Sequence, residues 1–406
     1  MEYFDKINVL GISFDRANKK VFQNKIIDIL AGEKQSYIVT PNPEIVLNAN
    51  HDEKLHHIIN SATLSIPDGI GIKFASWLQG KNLVRWAGSD ICLWLLKYAE
   101  TEAKKVAIFN LKNGLSSGND INWALKKKYP DLNFAIESID KEWSLAYYQN
   151  INVFKPEIIF ITTGSPYQEK FIYKNLPKMP FVKLAIGVGG SFDYISAKVK
   201  PSPAILKLIG LEWLWRLINI KSYGDKKLIR TKRIINAIFL FPYEYLKWLL
   251  INQFQYRKNV ACLIYKIDEA KQYKILLIKR NDNGAWQIPQ GGIDGDSIES
   301  AAIREIQEEL GTKKIKILDT YKNLHKYTFP KKENHQYRNY KGQSQSLAIT
   351  KYTGDDSDLK IREWEYIEWK WFTLDEAKTI IEEVRQESFI KYIKKLHKTI
   401  QKYEKS

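Results

Sequence analysis

Read as a pattern of apolar and polar positions, residues 1–195 alternate short apolar runs with longer mixed stretches. The runs lie at 7–12, 37–40, 64–66, 106–109, 134–136, 158–162 and 184–188. None shows a polar face, and each is bounded by turn residues. This is the pattern of strands buried on both sides, as in a parallel sheet. Intervening stretches such as 119–128 and 143–154 have helical length. The alternation predicts a Rossmann-like, layered α/β domain, in which ligands bind beyond the carboxyl ends of the strands.

The pattern changes after Pro203. An apolar helix-like run leads into a basic cluster, Lys221, Lys226, Lys227, Arg230, Lys232 and Arg233 against Asp225, and then into an aromatic and aliphatic run at 234–250. Such a segment suits the interface of an anionic membrane, or a packed terminal helix with a solvated basic face. Polar residues at 252–258 mark a domain boundary, giving a domain at 1–250, with 203–250 as a helical appendage, and a second at 257–406. The second domain reads as α+β: apolar runs at 260–265, 274–279, 286–288, 315–318, 327–329, 346–352 and 369–373, one central helix, and a charged helical tail from Asp375.

With 406 residues, 44% of them hydrophobic, the chain has material for two or three packed cores, and disorder is excluded as a default. Cys92 and Cys262 form no paired or metal-binding pattern, which points to inert core thiols in a reducing compartment. The N-terminus has no basic leader followed by an apolar run, and no uncharged apolar stretch reaches the roughly eighteen residues of a membrane span. Together these give the expectation of a cytoplasmic protein. The net charge of +17 admits nucleic acid, an anionic membrane surface or phosphate-rich substrates as partners, or reflects a generally basic composition. Nothing in the pattern specifies an oligomeric state.

Candidate chemistry in the first domain sits after the predicted strands. The loops are Thr40-Pro41-Asn42-Pro43-Glu44, Pro67-Asp68-Gly69-Ile70-Gly71, Arg85-Trp86-Ala87-Gly88-Ser89-Asp90, Gly164-Ser165-Pro166-Tyr167-Gln168-Glu169 and Gly187-Val188-Gly189-Gly190-Ser191-Phe192-Asp193. Each alone is ordinary turn chemistry, and Asp68 before Gly69 is by itself an Asx turn. In this order and spacing, with Gly210-Leu211-Glu212-Trp213-Leu214-Trp215-Arg216-Leu217, they resemble the WecG/TagA/CpsF glycosyltransferases over residues 5–245. The resemblance implies an inverting, metal-independent transfer of an N-acetylhexosamine of the N-acetylmannosamine type. The donor would be a UDP-sugar and the acceptor a polyprenyl-diphosphate-linked glycan in surface-glycan synthesis, which would put the protein peripherally on the inner face of the cytoplasmic membrane. It also implies Asp68 as general base and Thr40, Asn42 and Gln168 around the pocket. Arg85 and Arg216 would lie at the diphosphate, and Gly187, Gly189 and Gly190 would allow close backbone approach. Pro201-Ser202-Pro203 replaces the family's Arg-Ala-Pro, so lysines of the basic cluster would have to substitute in diphosphate recognition.

In the second domain, a glycine turn at Gly291 and Gly292 leads into a helix carrying Glu305, Glu308 and Glu309. Positions i, i+3 and i+4 share one helical face, so these carboxylates repel, and a hard divalent cation with oxygen ligands is the compensation they call for. The series Gly291, Asp296, Arg304, Glu305, Ile306, Glu308, Glu309 and Gly311 resembles the Nudix box, and the likeness covers residues 257–400. The resemblance implies metal-dependent hydrolysis of a phosphoanhydride with Mg2+ or Mn2+. Glu305, Glu308 and Glu309 would be metal ligands or base, Arg304 would orient them, and Gly291 and Gly292 would line the substrate. The box loop is one residue short of the family pattern, and Asp296 stands where a glutamate is usual. Trp286 to Gly292, Tyr327 to Pro330 and Lys341-Gly342-Gln343-Ser344-Gln345 resemble the dinucleoside polyphosphate hydrolases and RNA pyrophosphohydrolases, which implies a nucleoside polyphosphate or an RNA 5'-triphosphate end as substrate. Glu365 matches a further carboxylate of that subgroup. His51, His56 and His57 do not share a metal-binding face, and His325 and His335 border the pocket. Three readings follow: a bifunctional enzyme, a chain in which one domain catalyses and the other binds nucleotide or membrane, or an RNA 5'-end processing enzyme.

Overall fold

The computed structural model describes residues 5–140, 146–200, 202, 203, 206, 215, 231, 235–329 and 340–403, without the side chains of 146–149. Two compact units divide between Leu249 and Leu250. Arg216, the basic cluster at 221–233 and His335 lie outside the described residues.

In the first unit the apolar run at 7–12, expected as one parallel strand, is instead a hairpin. Strand β1 (Lys6–Val9) folds back on β2 (Ile12–Asp15) as a separate two-stranded antiparallel sheet. Leu10 and Gly11 make the turn with φ of 52° and 84°. Ile7, Val9, Ile12 and Phe14 of the two arms are buried, and Leu10 in the turn is apolar too, so no polar break marks the reversal. Asp15, buried, fastens the hairpin by accepting a hydrogen bond from Ser65 N at 2.7 Å.

The remaining strands form one six-stranded sheet in the order β4 (Leu64–Ser65), β3 (Ser36–Val39), β8 (Leu184–Gly187), β7 (Ile158–Ile161), β5 (Val106–Leu111), β6 (Phe134–Ile139), and every pairing is parallel. Successive side chains of a strand point to opposite faces. Ile158 and Phe160 enter one core with Ile38, Ile108 and Ile186, while Ile159 and Ile161 enter another with Ala107, Phe109 and Ala185. Helices cover both faces, which is why the runs do not alternate with polar residues. The helix Phe241–Leu250 buries Phe241, Tyr245 and Trp248 and leaves Tyr243, Leu246 and Leu250 exposed. Tyr245 Oη donates to Ala75 O at 2.5 Å, tying this helix to Ile70–Leu78.

The second unit holds a seven-stranded mixed sheet. Strands β11 (Trp286–Gln287), β10 (Tyr273–Arg280), β9 (Tyr256–Ile267), β14 (Gly342–Tyr352) and β13 (Ile315–Thr328) lie in that order, β12 (Gln290–Gly292) pairs with β9, and β15 (Tyr366–Thr373) pairs with β10. Only the β9–β14 pairing is parallel among these. The runs at 315–318 and 327–329, expected as two strands, belong to the single strand β13, whose register shifts between Ile317 and Asp319 and between Tyr321 and His325. The irregularities carry the polar residues that interrupted the apolar pattern. The charged tail is two helices, Leu374–Ile380 and Glu383–Tyr403, parted at the buried Ile381.

Strand β9 organises this unit. Val260, Cys262 and Ile264 pack with Ala301, Ala302, Ile306 and Leu310 of the helix Ile298–Leu310, while Ala261, Leu263 and Tyr265 pack with Phe389, Tyr392, Ile393 and Leu396 of the last helix. Both cysteines are free and buried, and burial pushes their thiols up, away from reactivity. Leu263→Ala removes a side chain with 0% exposure from the middle of this layer. The expected loss is about 2–5 kcal/mol of unfolding free energy, measured by urea denaturation of the full chain, and a loss under about 1 kcal/mol contradicts the packing described.

Candidate active sites

Parallel strands β3, β4, β7 and β8 end on one side of the first sheet, and the five candidate loops leave from that side or join it. Asp68 N donates to Pro41 O at 3.1 Å, and Trp86 N donates to Pro67 O at 3.1 Å, so three loops are laced by backbone bonds. The Asp68 carboxylate accepts from Gly88 N at 3.3 Å and faces Arg85 Nη2 at 3.7 Å. Both side chains keep solvent access, 26% for Asp68 and 21% for Arg85, as reacting groups in a pocket must. Gly88 opens the helix Gly88–Thr101, and a Cβ there would meet Thr40 Oγ1 at 2.8 Å, so Thr40 lies against the same corner. Gly69 holds φ of 102°, which releases the chain from Asp68 into the next helix without strain. Asn42 caps the helix Pro43–Ala49, its Oδ1 accepting from Ile45 N at 2.9 Å. Its amide NH2 is the end able to donate to a ligand.

A second cluster stands at the neighbouring strand end, because β8 pairs with β3. Gly189 N donates to Gln168 Oε1 at 3.0 Å, and a Cβ on Gly187 would lie 2.5 Å from Gln168 Cδ. Gly187 is therefore glycine for lack of room. Gly190 is less crowded, a built Cβ lying 3.0 Å from Asp193 Oδ2. The buried Glu169, next to Gln168, accepts from Gln168 Nε2 at 2.8 Å. No role for Glu169 follows from the loop motif. Its signal was a charged residue one step from a pocket residue, which is unremarkable until its burial is known.

In the second unit the helix Ile298–Leu310 starts at Ser297, whose side chain accepts from Ser300 N, and stops at Gly311 with φ of 70°. Gly291 and Gly292, expected in the turn, belong to β12 and pair with Val260 and Asn259. The turn lies just beyond, at Asp294 and Gly295, with φ of 44° and 97°. Gly291 is needed for space, since a Cβ there would sit 1.9 Å from Glu305 Cδ. Arg304 gathers the site: Nη2 donates to Gly292 O at 2.6 Å, Nη1 to Glu305 Oε1 at 2.5 Å, and Nε to Asp296 Oδ2 at 3.4 Å, while Nη1 stands 3.8 Å from Glu308. Asp296 thus reaches the arginine from the shortened loop.

Glu309 is 2% exposed, accepting from Gln290 N at 3.1 Å and from Tyr366 Oη at 2.5 Å. Tyr366 Oη also lies 3.1 Å from Glu365 Oε1, which brings that carboxylate beside the box. Arg362 donates to the Glu308 carbonyl at 2.6 Å, pairs with the Glu308 carboxylate, and approaches Glu365 at 3.6 Å. Arg362 and Tyr366 carried no motif signal. As placed, no three His, Cys, Asp or Glu side chains among the described residues surround a common point closely enough to hold an ion, and the two arginines take the carboxylate charge. The donor set nevertheless fits a hard divalent cation. Burial, then Glu365, then Glu305 push the Glu309 carboxyl well above its usual range, and an oxygen-seeking cation would offset that repulsion. His57 bonds Tyr173 Oη at 3.2 Å, and His325 is buried with Nδ1 3.3 Å from Lys391 Nζ.

Residues 7–246 match the Glycosyl transferase WecG/TagA/CpsF family, and the chain belongs to that family. Residues 255–393 match the NUDIX domain. Two curated relatives, both N-acetylglucosaminyldiphosphoundecaprenol N-acetyl-beta-D-mannosaminyltransferases of Staphylococcus aureus (strains MRSA252 and NCTC 8325), are 31% and 30% identical over 230 residues, 55% of this chain and 89% of each relative. Among solved structures, a binary complex of the C. elegans Ap4A hydrolase matches at 23% identity and a TM-score of 0.28, covering 35% of this chain and 98% of its own. The chain joins an N-acetylmannosaminyltransferase-like glycosyltransferase domain to a Nudix hydrolase domain, the class that generally requires a divalent metal ion.

Gly291→Ala must displace the Glu305 carboxylate. The expected result is a loss of Mn2+ affinity of about 10–100-fold, the range for disturbing groups that orient a metal site, read by electron paramagnetic resonance titration; unchanged affinity removes Glu305 from the site.

Proposed function

We propose that the first domain transfers an N-acetylmannosamine-type sugar from a UDP-sugar to a polyprenyl-diphosphate-linked glycan, and that the second hydrolyses a phosphoanhydride of a nucleoside polyphosphate. The observation that carries the first half is the Asp68 carboxylate held at a sheet's carboxyl edge between Gly88 N and Arg85. In the transfer, Asp68 takes the proton of the acceptor hydroxyl as its oxygen attacks the anomeric carbon, and the bond to UDP breaks on the opposite side, inverting the centre. Arg85 neutralises charge that develops on the departing diphosphate. Thr40 and the amides of Asn42 and Gln168 supply hydrogen bonds to sugar or uracil. Arg216 joins the diphosphate contacts in this reading. The names of the S. aureus relatives, with their lipid-linked acceptor and mannosaminyl group, support the choice of substrates.

In the second domain Glu305, Glu308 and Glu309 hold Mg2+ or Mn2+, with Glu365 adjoining, and the ion supplies charge neutralisation of the polyphosphate and activation of water. Arg304 keeps Glu305 and Glu308 in place from the centre of the box. One glutamate accepts a proton from the attacking water, and Gly291 and Gly292 let the phosphates approach the strand. A lipid-linked acceptor places the chain peripherally at the inner face of the cytoplasmic membrane. The exposed Tyr243, Leu246 and Leu250 suit such contact, and among the described residues no helix is long and apolar enough to cross a membrane.

Asp68→Ala is expected to lower UDP release from UDP-N-acetylmannosamine with a lipid-diphosphate acceptor by about 100-fold or more, the usual worth of a positioned base; an unchanged rate would falsify the assignment. Glu308→Gln and Glu309→Gln are expected to abolish Mg2+-dependent cleavage of dinucleoside polyphosphates into nucleotides, read by chromatography of the nucleotide products. Turnover of 5'-triphosphorylated RNA alone would redirect the hydrolase reading to RNA ends.

A further inference from the structure

Glu169 is a carboxylate with 4% exposure, and among the described residues it makes no ion pair. Its Oε1 accepts from Gln168 Nε2 at 2.8 Å, and its Oε2 is buried with no hydrogen-bond partner. Burying a carboxylate without a cation is costly, so its presence calls for a compensating role. The neighbouring carboxamide supplies one. A side-chain amide can sit in two orientations that differ by exchanging oxygen and nitrogen, and only its partners distinguish them. At one end of Gln168, Gly189 N–H can only donate, so it selects the oxygen at 3.0 Å. At the other end, the acceptor oxygen of Glu169 selects the NH2. The carboxamide packs close against the Gly187 backbone, where a Cβ would lie 2.5 Å from Gln168 Cδ. Gln168 is thereby locked in one orientation, with one N–H spent on Glu169 and the second left to donate.

We propose that Glu169 is a positioning residue that sets the orientation of the Gln168 carboxamide, so that its remaining N–H is presented to an acceptor oxygen of the nucleotide-sugar donor. The proposal rests on the reading of Gln168 as a donor-binding residue. Burial is the main cause pushing the Glu169 carboxyl up, with the nearby Glu44 adding to it. A glutamine at 169 keeps the accepting oxygen, whereas an alanine removes it.

The test uses the full chain with UDP-N-acetylmannosamine as donor. Glu169→Ala raises the donor KM about tenfold with kcat within about twofold, the pattern of lost ground-state and transition-state binding alike. Glu169→Gln stays within about twofold of the native chain, and Glu169→Ala adds nothing further in a Gln168→Ala background, because residues acting through one another are not additive. Multiplying losses in the double variant, or Glu169→Gln as impaired as Glu169→Ala, overturns the proposal. A second readout is independent of turnover: the Gln168 side-chain amide protons, followed by 15N NMR, exchange slowly in the native chain and in Glu169→Gln, and quickly in Glu169→Ala. Fast exchange in the native chain also overturns it. If the native chain turns over no UDP-sugar, the transferase reading fails while the exchange measurement still decides the role of Glu169.

Discussion

A carboxylate taken out of water must meet a donor, a cation or a proton. That constraint shapes both candidate sites. Asp68 meets Gly88 N and Arg85 while keeping partial access to solvent. Glu305 meets Arg304, Glu309 meets Gln290 N and Tyr366, and Glu169 meets the amide of Gln168. For Asp68 and Glu309 the supporting groups come from other loops and strands, so those acids are held only if the surrounding fold is correct, whereas Glu305 and Glu169 are met by the preceding residue of their own helix. The carboxylates of the second unit carry the greater mutual repulsion, which suits a cluster completed by a divalent cation. Asp68 faces one arginine and a backbone N–H, which suits a base that acts without metal.

The two folds deliver these acids by different routes. In the first unit a parallel sheet, apolar on both faces, excludes polar groups from its layers and leaves them to the loops at one edge. The adjacency of β4, β3 and β8 then sets Asp68, Thr40 and the Gly187–Gly190 loop at consecutive strand ends. In the second unit the acids ride on a helix whose adjoining apolar residues, Ala301, Ala302, Ile306 and Leu310, pack against β9. The short strand β12 passes close enough to that helix for Gly291 to exclude any side chain beside Glu305. Space, more than backbone freedom, explains the glycines at 187 and 291.

Much of this was legible in order along the chain. Unalternating apolar runs located the strands of the parallel sheet, and the spacing of Glu305, Glu308 and Glu309 marked one helical face. Local pattern misread the hairpin at Lys6–Asp15 because its turn, at Leu10 and Gly11, continues the apolar run, and it divided β13 because irregular register admits polar residues into a strand. It also put Gly291 and Gly292 in a turn, since glycine in a strand and glycine in a turn look alike until a neighbour is known.

By itself the sequence determined periodicity, the order of the motifs and the acids available, because these depend on residues close in the chain. Tertiary structure alone decided which distant groups serve those acids. Arg362 and Tyr366 reach Glu308 and Glu309 from 54 and 57 residues away. Gly189 reaches Gln168 from 21 residues away. Burial, which turned Glu169 from an ordinary loop acid into an orienting group, is likewise a property of the packed unit. Hydrogen bonds and desolvation act over a few ångströms of space, and only folding sets which residues share that space.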